Sequence, residues 1–237
     1  MDSSGYSKKR KALITGGSSG IGNSLVKRFC QENLQTAFFD IVAPQKEIEG
    51  SLFFKTNIAN PSEVERLITN INNKIGTPDI IICNAGRGIH ELLKDGNPET
   101  WEEIFRINVF GALRIINGFL PAMIEKEEGD IVFISSVSSH HPYQGGAIYA
   151  ATKAAIDIIA ETLRLEVQPN IRVITVSPGV VSTNFFKNII NGSQTPETIG
   201  WGALEPDDIA DTIFYAISQP HNVAINNIVI RPVAQSM

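Results

Sequence analysis

Tyr149 and Lys153 stand four residues apart in a stretch whose apolar residues recur at helical spacing, so a phenol and an ammonium share one helix face. A free phenol, with a pKa of about 10, is a poor base at neutral pH. An ammonium beside it favours the phenolate, and the pair becomes a group that can exchange a proton with a substrate oxygen. Thirteen residues before the tyrosine, Ser136 closes the apolar run that begins Ile131-Val-Phe-Ile. Its hydroxyl can polarise the same oxygen or stabilise charge developing there. Each of the three is ordinary alone: Tyr and Lys at this spacing line many helix surfaces, and serine at a strand end is often a cap.

Ala12-Leu-Ile-Thr-Gly-Gly-Ser-Ser-Gly-Ile-Gly22 reads as an apolar strand, a glycine-rich turn and the start of a helix containing Leu25, Val26 and Phe29. Gly16, Gly20 and Gly22, with Ser18, Ser19 and Ile21 between them, let the backbone turn sharply and approach a pyrophosphate, whose charge free N–H groups at the helix start stabilise. Asp40 ends the next apolar run, twenty residues after Gly20. A carboxylate there can accept from both hydroxyls of an adenosine ribose and repels a 2'-phosphate. No Arg or Lys occupies 17–19 or 41–43, and Lys46 is the cation that can reach back. The expected cofactor is NAD rather than NADP, and the positive nicotinamide of its oxidised form would help Lys153 favour the Tyr149 phenolate.

These groups need a scaffold. Short runs rich in Ile, Val and Phe alternate with helical periodicities, which predicts a doubly wound α/β fold of the Rossmann type: a seven-stranded parallel sheet with helices on both faces. Strands are expected near 11–15, 36–40, 52–56, 79–83, 130–135, 171–176 and 226–230. Helices are expected near 20–32, 61–74, 99–125, 147–167 and 206–218. Residues 41–51, broken by Pro44 and Gly50, form a loop or one helical turn, and 180–204, without clear periodicity, is a substrate-lid segment. At 237 residues the chain, 1–237, is expected to be one domain.

The spacing TGxxxGxG at Thr15–Gly22 resembles that of the short-chain dehydrogenase/reductase family, and further signatures follow in order: Asn84-Ala-Gly86, Asn108, Ser136, Tyr149-Ala-Ala-Thr-Lys153 and Pro178-Gly179. The resemblance implies that Ser136, Tyr149, Lys153 and Asn108 are catalytic, with Tyr149 as acid/base between an alcohol and its carbonyl compound. Asn108 would sit at a helix kink and hold a water linking Lys153 to solvent, and Lys153 would also hold the nicotinamide ribose. Asn84, Ala85 and Gly86 would line the cofactor, and Pro178, Gly179, Val181 and Thr183 would close over its nicotinamide end. Asn57-Ile58 replaces the common Asp-Val, and the Asn57 side-chain oxygen can still accept from the adenine amine. The closing run Asn227 to Gln235 resembles bacterial dehydrogenases of serine and other 3-hydroxy acids and the clavulanate-type reductases, a subgroup associated with NADP where Asp40 points to NAD. The alternative function is a non-catalytic dinucleotide sensor. Such proteins commonly lose the Tyr/Lys pair, which is kept here.

Ligands of doubly wound sheets bind beyond the carboxyl ends of the strands, which nominates His140, Gln144 and Phe185 as contacts of a small-molecule alcohol or carbonyl substrate. No metal is expected, because the four histidines show no ligand pattern. A formal charge of -5 without a block of Lys or Arg argues against nucleic acid. The apolar run Ala12–Ile14 is too short for a signal or a membrane span, and Cys30 and Cys83 read as buried thiols, so a cytoplasmic protein is expected. Apolar residues of 99–125 and 147–167 (Phe105, Val109, Leu113, Ile116, Ile156, Ile159 and Leu163) are wide enough in angle to predict a homodimer or homotetramer.

Overall fold

The computed structural model describes residues 9–192 and 194–236; residues 1–8, 193 and 237, which the one-domain and lid expectations include, lie outside the described residues. The strands are β1 (Lys11–Thr15), β2 (Gln35–Asp40), β3 (Ser51–Lys55), β4 (Ile80–Cys83), β5 (Gly129–Ile134), β6 (Ile171–Pro178) and β7 (Asn227–Ile230). All pair in parallel, in the order β3-β2-β1-β4-β5-β6-β7. The order reverses between β1 and β4. A crevice opens at such a reversal, beyond the carboxyl ends of the strands.

The helices are α1 (Gly20–Gln31), α2 (Pro61–Lys74), α3 (Pro98–Phe105), α4 (Ala112–Lys126), α5 (Ala147–Val167), α6 (Pro196–Ile199) and α7 (Pro206–Ile217). Adjacent residues of a strand face opposite sides, and the core divides accordingly. Leu13, Phe39, Ile81 and Phe133 pack with Leu67, Phe119 and Ile156 of α2, α4 and α5 on one side. Ile14, Phe38, Ile82 and Ile174 pack with Leu25, Phe29 and Ile213 of α1 and α7 on the other. Strands covered on both faces have no polar side to show, which is why β1, β4, β5 and β6 read as continuous apolar runs.

Two segments depart from the sequence expectation. The helix expected over 99–125 contains a π-helical stretch, Arg106–Gly111, between α3 and α4. Gly111 permits it, because a β-carbon there would collide with Ile58. Helix 98–126 is long and apolar enough to cross a membrane, yet Ile104, Val109, Ile115, Phe119 and Met123 are buried within this fold. The segment 180–204 carries a 3₁₀ turn (Phe186–Asn188) and the one-turn α6, while the loop after β2 carries no helix. At the amino ends of the strands, Asp130 is sandwiched between Arg172 and Arg10, and Asp79 pairs with Lys126 and the Lys11 amide.

Candidate active site

The turn between β1 and α1 needs glycine for two different reasons. Gly16 and Gly20 have φ of +70° and +52°, in the left-handed region that disfavours side chains, and a β-carbon on Gly22 would collide with the Gly16 carbonyl. The Ser19 side chain makes no cap hydrogen bond, and the first turn of α1 holds no acidic residue. By contrast, Asn60 and Asn97 cap α2 and α3, and Glu63 and Glu99 stand in their first turns. The start of α1 therefore keeps its N–H groups and partial positive charge for an anion. A pyrophosphate fits this cradle.

Beside it, Asp40 Oδ2 accepts from the Ser18 amide at 3.1 Å and Oδ1 from the Ile41 amide at 2.7 Å. The ordering of this carboxylate against the glycine turn leaves lone pairs for ribose hydroxyls. Ser18 itself donates to the Val42 carbonyl. Lys46 is exposed, but the parallel register sets a different cation, exposed Lys55, directly opposite Asp40 on β3. No ion pair joins Lys55 and Asp40 among the described residues. Only strand pairing reveals that neighbour. Asn57 is exposed and its Oδ1 accepts from the Ala59 amide, whereas the Ile58 side chain is buried against Gly111, so an adenine would meet Ile58 only through its backbone.

Asn84 ties β4 to the turn, its Nδ2 donating to the carbonyls of Thr15 and Gly16 at 2.9 and 3.0 Å. Thr15 Oγ1 accepts from the amides of Asn84 and Ala85, a role the sequence reading missed although the residue opens the glycine motif. A β-carbon on Gly86 would lie 3.3 Å from Asn108 Oδ1 and 3.7 Å from Lys153 Nζ, so this glycine lets both approach. Asn108, in the π-helical stretch and 3% exposed, accepts from the Arg87 amide and donates to the Arg87 carbonyl and to Thr152 Oγ1. Thr152 in turn donates to the Tyr149 carbonyl. The Asn108 side chain thus braces the loop after β4 against α5.

Ser136 leaves β5 at its carboxyl end, and its Oγ caps a 3₁₀ turn by accepting from the Ser138 amide at 3.1 Å. Helix α5 brings up Tyr149 and Lys153. Lys153 Nζ donates to the Ile134 carbonyl at 2.8 Å and lies 5.7 Å from the Tyr149 ring centroid. Burial pulls the Lys153 ammonium down to about 8, and the Asp157 carboxylate opposes that pull. Burial also holds the Tyr149 phenol above its ordinary value; nearby Ser136 lowers it and the neighbouring Tyr143 phenol raises it. Burial thus opposes ionisation of the phenol in the protein alone; the expectation sets against it the Lys153 ammonium together with the positive nicotinamide of an oxidised cofactor.

Three loops roof these groups. The loop after β4 pairs with the segment after β6 as a short ladder, the His90 amide donating to the Ile190 carbonyl and the Ile190 amide to the Gly88 carbonyl. Glu91 accepts from Trp101 Nε1 and Asn191 Nδ2, and its amide donates to the Gly145 carbonyl. The Phe185 ring stands 5.6 Å from that of Tyr149, and Thr183 packs on Gly20. Val181 is buried and bridges to Leu204. After Pro178, the Gly179 amide donates to the Ile230 carbonyl and the Val180 amide to buried Gln235. The sequence reading gave Gln235 no site role. Of the nominated substrate contacts, Phe185 faces Tyr149, Gln144 is exposed, and His140, 63% exposed, turns its Nε2 to Asp157 at 3.4 Å. The aromatic pair beside the site is His90 and Tyr143, stacked at 6.1 Å.

Residues 10–194 match the family model described as short chain dehydrogenase. An uncharacterized oxidoreductase of Staphylococcus saprophyticus is 32% identical over 242 residues, which cover 97% of this chain and 98% of that one. The closed form of a serine dehydrogenase complexed with NADP+ superposes with a TM-score of 0.88 at 25% identity, covering 96% of both chains. A 3-ketoacyl-(acyl-carrier-protein) reductase from Brucella melitensis complexed with NADH is alike in fold, with a TM-score of 0.84 at 24% identity, over 95% of this chain and 98% of that one.

Proposed function

Since the chain belongs to the short chain dehydrogenase family, we propose that it interconverts a secondary alcohol and its ketone, or an aldehyde and its alcohol, with NAD(H) as redox partner. One observation carries this reading. Ser136 from the end of β5 and Tyr149 and Lys153 from α5 converge, with Lys153 beside Gly86 of the loop after β4, so that a substrate oxygen can meet a hydroxyl donor and an acid/base together.

The bound dinucleotide supplies the hydride acceptor or donor and, when oxidised, a positive charge. Gly16 to Gly22, with Asn84, Ala85 and Gly86, would hold its pyrophosphate side, and Pro178, Gly179, Val181 and Thr183 its nicotinamide end. In alcohol oxidation Tyr149, as the phenolate that the nearby Lys153 ammonium favours, would take the proton of the alcohol oxygen, while Ser136 donates a hydrogen bond to the same oxygen. In the reverse direction Tyr149 returns the proton. Asn108 keeps the loop and helix in register for both.

Asp40 favours NAD, because a 2'-phosphate would face its carboxylate. The segment 180–204 acts as the lid of a single domain, 1–237. We assign the protein to the cytoplasm and to a homodimer or homotetramer. Val109, Ile116, Ile156 and Leu163 are core residues and line the inward faces of helix 98–126 and α5. The outward apolar groups of the same helices are Phe110, Ile124, Ile158 and Leu165. The test is to mix the protein with NAD or NADP and a panel of secondary alcohols, and follow absorbance from reduced nicotinamide. The closing run and the likeness to a serine dehydrogenase put 3-hydroxy acids first in that panel. Turnover with wild type that Tyr149→Phe does not lose overturns the reading.

A further inference from the structure

Helix α5 carries one more ionisable group than the proposed reaction uses. Tyr149, Lys153 and Asp157 follow one another at intervals of four residues, and hence along one face of the helix. The Asp157 side chain is only 15% exposed, and neither of its oxygens, both closed to solvent, has a hydrogen-bond partner among the described residues. A buried carboxylate without hydrogen bonds is costly to keep unless a cation stands near it. The Lys153 ammonium lies one helical turn back, and the His140 imidazole, in the turn that follows Ser136, sets its Nε2 3.4 Å from Asp157 Oδ2.

Seen from Lys153, the surroundings hold one negative charge. Tyr149 on the same helix is a neutral phenol with Tyr143 and Ser136 beside it. The Ile134 carbonyl on β5 accepts its proton, and Asn108 approaches across Gly86 from the π-helical stretch. Asp157 is the one carboxylate whose field reaches the ammonium among the described residues. We propose that Asp157 is a positioning residue: its buried carboxylate holds Lys153 in the ammonium form, and so sets the alkaline limit of the activity. The same carboxylate, through His140, ties the turn carrying Ser136 to the helix carrying Tyr149. The consequence for turnover rests on the reading above, but the charge coupling itself does not.

The experiment is an NMR titration of the full chain labelled with ¹³Cε-lysine, the Lys153 signal being assigned by its loss in Lys153→Met. In Asp157→Asn, which keeps size and shape, the Lys153 midpoint should fall by about half a pH unit or more. Asp157→Glu should restore it. An unchanged midpoint in Asp157→Asn overturns the proposal. Should that chain fail to fold, Asp157→Ser takes its place: the Lys153 midpoint should fall there too, and an unmoved midpoint overturns the proposal equally. With an active substrate in hand, the alkaline limb of kcat/KM should move down in Asp157→Asn. Retention of turnover by Tyr149→Phe would remove the catalytic reading while leaving this titration intact.

Discussion

At the amino ends of the strands, Asp130 is 1% exposed, and its two oxygens are taken by Arg172 and Arg10; Arg172 spends its remaining donors on the carbonyls of Ile217, Gln219, Pro220 and Val223. At the carboxyl ends, the start of α1 lacks a side-chain cap, Lys153 is buried with one carbonyl as its hydrogen-bond partner, and Asp157 has no hydrogen bond among the described residues. Both rims desolvate charge. One satisfies both carboxylate oxygens of Asp130 with guanidinium donors, leaving only the Arg10 Nε of that cluster without a partner among the described residues, and so fastens α7 and β6 to the sheet, while the other leaves positive field and proton-bearing groups facing a crevice. Buried charge that is largely partnered serves stability, and buried polarity left incomplete is held ready for something else.

The contrast can be broken at either rim. Tyr149→Phe keeps the ring and removes the hydroxyl, and should lower turnover by roughly three to four orders of magnitude with little change in melting temperature; steady-state rates beside a thermal melt check both halves. Asp130→Ala should do the opposite. It strands two guanidinium groups and should cost about 3–5 kcal/mol in denaturant unfolding, while folded molecules keep their kcat/KM. If that variant lost activity without losing stability, the two rims would not divide as described. Ser136→Ala should cost about 10²–10³ in kcat, as loss of an oxyanion donor does.

Asp40→Ala should narrow the preference for NAD over NADP by about tenfold, since one repulsive charge is removed and Lys55 then stands alone beside the 2' position. The ratio of the two kcat/KM values measures it, and equal use of NADP by the unmodified protein would show the assignment to be wrong. The smallest effect concerns pH. Burial sets the folded Lys153 at about 8 against an ordinary 10.5, so between those values the unfolded chain binds more protons and stability rises with pH. Burial of the Cys83 thiol, pushed up to about 12 from 9.0, acts in the other direction above pH 9. Between pH 8 and 9 the protein should therefore gain about 1 kcal/mol, and Lys153→Met should flatten that rise.

Much of this was legible in the chain alone, because periodicity and glycine spacing are local. The apolar runs gave all seven strands to within about two residues, and α2 and α5 fall at the predicted bounds, since each is set by a cap, a proline or an uninterrupted amphipathic pattern. The Tyr149–Lys153 pair needed only a helix to be meaningful. Where the chain must cross to another element, its signals fade. The resemblance implied a kink at Asn108, but at the end of the π-helical stretch Gly111 meets Ile58, about fifty residues away in sequence, and no local pattern encodes that encounter. Thr15 reads as the end of a strand until β4 places two amides over its hydroxyl.

The sequence by itself determined the fold class, the cradle at the start of α1 and the residue types of the site, because backbone conformation and helix spacing act over a few residues. Tertiary structure alone decided the electrostatics. Desolvation depends on what surrounds a group in three dimensions, and it raises the Tyr149 phenol above its ordinary value while it lowers the Lys153 ammonium. It also decided which groups meet: Lys55 beside Asp40 through strand register, and the His140 imidazole against Asp157. Coulomb energies follow distance and local dielectric, and neither is written in the order of residues.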